Sequence, residues 1–265
     1  MPRYAAVAVA GAVLLSTLVG ASRAEGPAKQ EKGGVFPVVV DVQKPEEAKS
    51  FLDALARALE AKDEPGVVSA AQAMVTKRHK DFVPELKKLV ADKRVAVAAA
   101  AAAALGSQAD KTVAPLLMKS VTTENREKGY IRDAALKAEA IEALGRLGVT
   151  GGFDAIMKLT VSMLRDPDLQ EKYAGDIVRA TVRYLGLTKD KRGVSFLIDQ
   201  IEEPGTEPVT PTTPPAAFQK LRHIAWERFR SEVPWALKEI TGKEFENARR
   251  WRGWFDTDGK KEGMK

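Results

Sequence analysis

Residues 97–106 read VAAAAAAALG, seven consecutive alanines between a valine and a Leu-Gly pair. Alanine has the highest intrinsic helix propensity, so this stretch predicts a helix rather than a flexible spacer. The stretch is too short and too weakly apolar for a membrane span, which needs about 20 apolar residues. We therefore expect a helix over residues 95–105, with side chains small enough for neighbouring helices to approach closely on several sides.

The Leu-Gly pair at the end of this helix recurs along the chain. The pairs are spaced by 39 and 41 residues, at positions 105–106, 144–145 and 185–186. A second anchor, the apolar residue at which another helix starts, recurs at spacings of 40 and 41, at Val113, Phe153 and Val194. Two independent anchors therefore indicate an internal repeat of about 40 residues.

Each repeat unit contains two predicted helices. The first carries apolar residues at positions i, i+3 and i+4, as at Val113, Leu116 and Leu117, which is the pattern of a helix with one buried face. A short charged turn leads to a second helix that is rich in small residues and ends at Leu-Gly. We expect the glycine of each pair to adopt the left-handed conformation that stops a helix.

The arrangement resembles the HEAT-repeat family, including its bacterial HEAT-like members, over roughly residues 46–202. The second helix of that family has the form V-R-x-x-A-x-x-x-L-G after an Asp-containing turn. The residues at the V-R positions here are Val97-Ala98, Leu136-Lys137 and Ile177-Val178. The resemblance implies an all-α fold, an α-solenoid of antiparallel helix pairs of the HEAT-like or armadillo type. A TPR array would need a 34-residue period and its own Trp/Tyr/Pro pattern, which are absent.

The N-terminus has the features of a signal peptide. Arg3 precedes an apolar stretch, and the small residues Ser22 and Ala24 suit cleavage after Ala24. An uncleaved N-terminal anchor helix is the alternative. The signal peptide predicts an exported protein, periplasmic or extracellular.

The rest of the chain divides by composition. Residues 36–40, FPVVV, are β-prone, and we expect them to lie extended along the first helices; residues 203–215 are rich in Pro and Thr. The predicted organisation is a signal peptide (1–24), an N-terminal extended or linker segment (25–44), a HEAT-like repeat domain (45–202), a Pro/Thr-rich linker (203–215), a C-terminal helical cap (216–256) and a disordered tail (257–265).

The sequence predicts no catalytic, cofactor-binding or metal site. It has no cysteine and two histidines, so thiolate ligands and cysteine nucleophiles are excluded. His79 and His223 are each flanked by cations, and Asp166 and Asp168 suit a helix N-cap better than a calcium loop, which needs six or more oxygens. No phosphate-binding glycine motif occurs. We expect no small-molecule substrate.

The C-terminal region and two loops carry the most distinctive side chains. A cationic interaction surface could be formed by Lys93, Arg94, Arg249, Arg250 and Arg252. Aromatic residues predicted to close the last repeat as a structural cap are Trp235, Phe245, Trp251 and Trp254. The ending L-x-x-x-T-G-x-x-F…W-x-x-W is similar to those of exported bacterial HEAT-like proteins.

The leading functional hypothesis is a non-catalytic scaffold or adaptor of the cell envelope that binds a protein partner. The alternative is binding of an anionic envelope polymer or membrane surface through the basic loops and the Arg/Trp-rich C-terminus, although contact with a membrane is not expected. Export disfavours nucleic acid as a partner. HEAT-like repeats also occur in proteins described as phycobilin lyases, but no nucleophile or acid–base pair for an enzyme can be named here.

Overall fold

The computed structural model describes residues 36–123, 126–127, 130–131, 133–165, 174–204 and 216–264. The proposed signal peptide, the first part of the N-terminal linker, Asp166 and Asp168 lie outside the described residues, as does most of the Pro/Thr-rich linker. The described chain is mostly helical, which confirms the all-α class. Among the described residues, no helix combines the length and apolar character that crossing a membrane requires.

Twelve helices and four two-residue strands are described. The helices are α1 (Pro45–Glu60), α2 (Glu64–Ala73), α3 (Phe82–Val90), α4 (Val95–Gly106), α5 (Ala114–Thr122), α6 (Ala134–Arg146), α7 (Phe153–Arg165), α8 (Ala174–Thr188), α9 (Val194–Asp199), α10 (Ala216–Glu227), α11 (Val233–Thr241) and α12 (Ala248–Trp254). The strands are β1 (Val40–Asp41), β2 (Lys77–Arg78), β3 (Arg126–Glu127) and β4 (Tyr130–Ile131).

Helix ends follow from local chemistry at several positions. Pro45 opens α1, followed by Glu46 and Glu47, which favour the positive end of the helix dipole. The side chain of Asn247 caps α12 by accepting a hydrogen bond from the backbone N–H of Arg250 at 3.0 Å. Gly242 ends α11 with a φ of 67°, as expected for a left-handed C-terminal residue.

A row of helices forms the centre of the fold. Along this central row, α2 packs on α4, α4 on α6, α6 on α8, and α8 on α11. The preceding helix of each pair packs against its successor, α1 on α2, α3 on α4, α5 on α6 and α7 on α8. The alanine helix is confirmed over residues 95–105, and nine of its twelve residues are buried because other helices enclose it.

The glycines of the Leu-Gly pairs do not have the role predicted for them. Gly106, Gly145 and Gly186 are all helical, and none has a positive φ. A Cβ on Gly106 would lie 2.7 Å from the Cα of Ala143, and one on Gly145 would lie 2.9 Å from the Cα of Tyr184. Glycine is therefore needed at these positions because the backbone of the next central helix approaches too closely for a side chain.

The left-handed conformation occurs three residues after each of these glycines. Ala109, Gly148 and Lys189 have φ values of 57°, 64° and 53°. Their spacings, 39 and 41 residues, equal those of the Leu-Gly pairs. The same backbone turn therefore recurs in three repeats, although only one of them uses glycine at the left-handed position.

The C-terminal tail is folded where the sequence predicted disorder. Residues Phe255–Gly259 form a π-helical turn that continues α12. Met264 is 5% exposed and belongs to the hydrophobic core, and Lys191 donates a hydrogen bond to the carbonyl oxygen of Glu262 at 3.1 Å. The prediction of a disordered tail from residue 257 is corrected up to Met264, because an apolar side chain beyond the charged residues anchors it.

Candidate functional site

An extended segment of the N-terminal region lies on the surface of the helical fold. The surface that it contacts, formed by β2, Arg146, Arg183 and Trp235, is here named the groove. Residues 36–42, here named the strap, include β1, which pairs in parallel with β2, Val40 opposite Lys77 and Asp41 opposite Arg78. The backbone N–H of Val42 donates to the carbonyl oxygen of Arg78 at 2.9 Å. The strap is thus bound at this end mainly through its main chain.

A buried glutamine holds β2 in position. The side-chain amide of Gln108 donates to the carbonyl oxygens of Met74, Lys77 and Ala104 at 3.3, 3.0 and 3.2 Å. Its Oε1 accepts from the backbone N–H of His79 at 3.0 Å. The two N–H groups of the amide share these three carbonyl acceptors, and the bonds to Lys77 and His79 hold β2 beside the C-terminal end of α4.

The other end of the strap is held by an aromatic ring. The Phe36 ring lies 5.5 Å from the guanidinium carbon of Arg146 and 5.5 Å from that of Arg183. Its centroid is 5.6 Å from that of Trp235, with the rings tilted by 58°. Cation–π and aromatic contacts of this kind favour a planar apolar group at this position.

The two arginines are held in place by carboxylates. Glu142 accepts from Arg146 at 2.5 Å and from Arg183 at 2.9 Å, one oxygen for each guanidinium. Arg183 also makes a bidentate pair with Glu232 at 2.6 and 2.8 Å. Such fork-like pairs fix the orientation of the guanidinium plane.

Burial and charge act in opposite directions on Glu142. Burial raises the pKa of its carboxyl, but the positive charges of Arg183 and Arg146 outweigh burial and hold that pKa below its usual range. Burial alone would lower the pKa of Arg183, but its hydrogen bonds to Glu232 and Glu142 outweigh burial and hold that pKa above its usual value. Both groups are therefore charged at neutral pH, and the ion pairs hold the groove in one arrangement.

Glu139, one helical turn before Glu142, is in a different state. Burial raises the pKa of the Glu139 carboxyl, and the nearby charge of Glu142 raises it further. In the described part of the chain, Glu139 makes no hydrogen bond and no ion pair. It is a half-buried acid beside the ion-paired groove, and the charges of Arg146, Arg179 and Arg183 only partly offset its desolvation.

Hydrogen bonds connect the two ends of the groove. Arg78 lies 3.5 Å from the carboxylate of Asp41 in the strap and donates to the carbonyl oxygen of Ser107 at 3.1 Å. The hydroxyl of Ser107 accepts from Arg146 at 3.3 Å. The groove is therefore a continuous polar surface along the ends of α4, α6 and α8.

The strap does not follow the path predicted for it. It was expected to lie along the first helices, and β1 does lie beside residues 77–78 after α2. Phe36, however, contacts Arg146 on α6, Arg183 on α8 and Trp235 on α11. The strap therefore crosses several repeats, because an extended residue spans about 3.3 Å whereas a helical residue rises only about 1.5 Å.

The predicted cationic residues are largely paired. In the turn before α4, Arg94 donates to both carboxylate oxygens of Asp92, at 3.0 and 2.7 Å, and this hydrogen bond lowers the pKa of Asp92. Arg252 lies 3.7 Å from Asp199 and 3.1 Å from Glu202. Arg94 thus stabilises the turn before α4, and Arg252 links α12 to the C-terminal end of α9.

The other three predicted cations are exposed. Arg250 has Glu246 at 3.5 Å, whereas Lys93 and Arg249 make no ion pair with the residues that the structure describes. Lys93 precedes α4 and Arg249 lies on α12. Helix α4 packs on α2, α3 and α6, whereas α12 packs on α9, so the two groups of cations lie on different parts of the fold.

Three of the four predicted cap residues form one cluster. The centroids of Phe245 and Trp251 are 4.8 Å apart and nearly perpendicular, and Trp254 lies 5.7 Å from Trp251 and 6.0 Å from Phe245. Trp251 is buried, and α12 packs on α9. Trp235 lies apart from this cluster and instead contacts Phe36 and Gly186.

Acidic neighbours surround both histidines. The Nδ1 atom of His79 lies 3.6 Å from a carboxylate oxygen of Asp81, and that of His223 lies 3.0 Å from Glu203. Among the described residues, no three histidine, aspartate or glutamate side chains are grouped closely enough to hold a metal ion.

Of the residues that build the groove, only Trp235 was singled out from the sequence, as part of the cap, although one further signal was present. Glu142 and Arg183 both stand three positions before the glycine of a Leu-Gly pair, where the first repeat has Ala103. One repeat position therefore carries alanine, then an acid, then a base, which indicates a surface that changes charge from helix to helix. Phe36 and Gln108 give no comparable signal, because their partners are distant in sequence.

Comparison of the chain with protein-family models gives no match, and a search of curated proteins gives none either.

Proposed function

We propose that the protein is a non-catalytic scaffold for protein–protein interaction in the cell envelope, and that the groove is its binding surface. The observation that carries this proposal is the bound strap, an extended segment held by main-chain pairing at β2 and by an aromatic contact at Phe36. Extended peptides bind other proteins through the same two kinds of contact.

We further propose that the central row belongs to an α-solenoid of antiparallel, HEAT-like helix pairs. Two observations support this arrangement. Gly106 contacts Ala143 and Gly145 contacts Tyr184, and in both cases the contacted residue lies two positions before the next glycine. The left-handed residues recur at the same spacing. Successive repeats therefore pack with one register, as in solenoids that offer extended binding surfaces.

The charges in the groove favour binding rather than proton transfer. Glu142 is shared between two guanidiniums and its pKa is held low, so it is a poor base. Arg183 is paired with two carboxylates. Groups that neutralise one another in a fixed geometry provide a rigid surface for a partner.

The alternative, binding of an anionic polymer or membrane surface, has weaker support. Lys93 and Arg249 are exposed and unpaired within the described chain, which suits it. Arg94 and Arg252, which the alternative also requires, are engaged by carboxylates. Cosedimentation with phosphatidylglycerol vesicles tests it, and binding that is lost on Arg249→Ala would favour this alternative over the scaffold.

Affinity capture from an envelope fraction tests the scaffold directly. We expect wild-type protein to enrich a defined protein partner, and Trp235→Leu, which alters one wall of the groove, to reduce that enrichment by about tenfold. Arg250→Ala, at an exposed position outside the groove, is the matched control and should retain the partner. Absence of any partner above the level of a tag-only control, or equal recovery by the groove variant, would contradict the proposal.

A further inference from the structure

The strap makes few contacts with the groove, since four of its seven residues are exposed and only Val42 is buried. Val38 is 81% exposed and Val40 is 51% exposed, and together with Ile224 they are the large apolar side chains that the described chain leaves exposed. The ladder between β1 and β2 is two residues long, and so short a pairing is weak on its own. The firm contacts of the strap are therefore concentrated at Phe36 and Val42.

The groove itself does not depend on the strap. Glu142 and Glu232 fix Arg183, and Glu142 and Ser107 fix Arg146, all through residues of the helical fold. Gln108 fixes β2 in the same way. Because these supports lie outside the strap, the groove retains its shape when the strap leaves. A binding surface that is already ordered loses little entropy on taking a new occupant.

The chemistry of the groove defines what fits it. Two guanidiniums and an indole form the site for Phe36, which selects a planar aromatic side chain. Five residues later, Asp41 lies 3.5 Å from Arg78, which favours an acidic side chain. Between these two positions the ligand needs only an extended backbone, since Val38 points to solvent.

We propose that the groove binds, in place of the strap, an extended segment of a partner protein that carries an aromatic residue and, five positions later, an acidic one. The strap is then an internal occupant that such a segment displaces. This inference rests on the proposed scaffold function and names the chemistry of its partner. Displacement also releases the strap residues Val38 and Val40 from the surface of the fold.

Competition between the strap and a free peptide for the groove determines the apparent affinity of that peptide. A segment tethered beside its own site has an effective concentration of about the millimolar range, so wild-type protein should bind a free copy of the segment weakly. Weakening the strap should strengthen binding of the free copy, because the site stays ordered. This increase in affinity distinguishes an occupied binding groove from a purely structural contact.

The test uses a labelled synthetic peptide with the sequence of residues 32–44, KGGVFPVVVDVQK, and fluorescence anisotropy. We expect Phe36→Ala protein to bind the peptide about tenfold more tightly than wild type, because its own strap competes poorly. Asp41→Arg, at an exposed position opposite Arg78, should act in the same direction and serves as the second strap variant if Phe36→Ala folds poorly. Adding Trp235→Leu to either variant should weaken binding again.

Equal affinity of wild type and both folded strap variants for the peptide would overturn the proposal. A wild-type dimer that becomes a monomer in Phe36→Ala would also overturn it, since the groove would then serve strap exchange between two copies. The peptide assay needs no cellular partner, so its failure is distinguishable from failure of the scaffold proposal, which depends on capture from the envelope fraction.

Discussion

A Cβ atom on Gly145 would lie 2.9 Å from the Cα of Tyr184, which is 39 residues further along the chain. The corresponding contact of Gly106 is with Ala143. Central helices therefore meet backbone to backbone at the same point of successive repeats. This contact explains Gly106 and Gly145, since a larger side chain would hold the helices apart. At Gly186 a Cβ would instead first meet the ring of Trp235, at 2.6 Å.

Gly145→Ala should destabilise the protein because its methyl group must displace the backbone of α8. We expect a loss of about 1–3 kcal/mol in the free energy of unfolding, typical of overpacking. Gly253→Ala is the matched control, since a Cβ there meets no atom within 4 Å and the residue lies in α12. That substitution should stabilise by about 0.5–1 kcal/mol, as removal of a helical glycine does. Denaturant titration measures both, and equal effects would contradict the close approach.

Substitutions in the alanine helix should depend on the face that is changed. Ala101 is fully buried, so Ala101→Leu should overpack the core and cost about 1–3 kcal/mol of stability. Ala96 is exposed in the first turn of the same helix, and Ala96→Leu should change stability by less than about 0.5 kcal/mol. Thermal unfolding of the pair checks this, and equal tolerance at both positions would show that α4 is not enclosed as described.

Lys137 belongs to the Leu136-Lys137 pair, which occupies the V-R positions of the second repeat unit, and it caps the C-terminal end of α5. Its Nζ donates to the carbonyl oxygens of Ser120, Val121 and Thr123 at 3.0, 3.0 and 2.6 Å. Lys137→Met keeps the length of the side chain but leaves these carbonyls without the donor. We expect a loss of about 2–3 kcal/mol in the free energy of unfolding, as for hydrogen bonds to a charged group.

The exposed Lys119→Met on α5 is the control for Lys137→Met. The pKa of the Asp133 carboxyl is already raised by burial, and the positive charge of Lys137, 3.8 Å away, only partly opposes this rise. Lys137→Met removes that charge. The pKa of Asp133 should therefore rise further in the variant. If Lys137→Met and Lys119→Met had the same stability, the cap would contribute nothing.

Glu139 should make stability depend on pH in a defined direction. Its pKa is raised in the folded protein, so the folded state binds a proton more tightly than the unfolded state does. The destabilisation of the folded state by the ionised Glu139 carboxylate is therefore absent below the unfolded pKa, develops as pH rises through the folded pKa, and is complete above it. Glu139→Gln should raise the melting temperature at pH 7 and leave it nearly unchanged at acidic pH.

Glu142 should show the opposite pH dependence. Its folded pKa is lowered, so its contribution to stability is present above the unfolded pKa and is lost as pH falls through the folded pKa. Melting curves of wild type and Glu139→Gln from pH 3 to 8 separate the two groups. An unchanged difference between the two proteins across that range would contradict the assignment of the raised pKa to Glu139.

Features set by local sequence were predictable. The limits of α4 follow from alanine propensity and the charged turn before it, and the repeat follows from the Leu-Gly spacing. The extent of α4 was predictable because it depends on residues within a few positions of one another, and the repeat because its pattern recurs in the sequence itself.

Features set by distant contacts were not predictable. The role of Gly145 depends on Tyr184, and Met264 is buried only because the tail returns to the core. The position of Phe36 depends on arginines more than 100 residues away. Of the groove, Trp235 was predicted only as a cap residue. The sequence also contained the change of charge between Glu142 and Arg183, but the ion pair between these two side chains is visible only in the structure.

Hydrogen exchange at the backbone amide of Val42 shows whether the strap leaves the groove, because that amide pairs the strap with β2. We would measure its exchange in wild-type protein with and without a large excess of the free peptide of residues 32–44. We expect the amide of the protein's own Val42 to exchange faster when the peptide occupies the groove. Exchange that stays unchanged at peptide concentrations that saturate the Phe36→Ala variant would show that the strap is a fixed part of the fold.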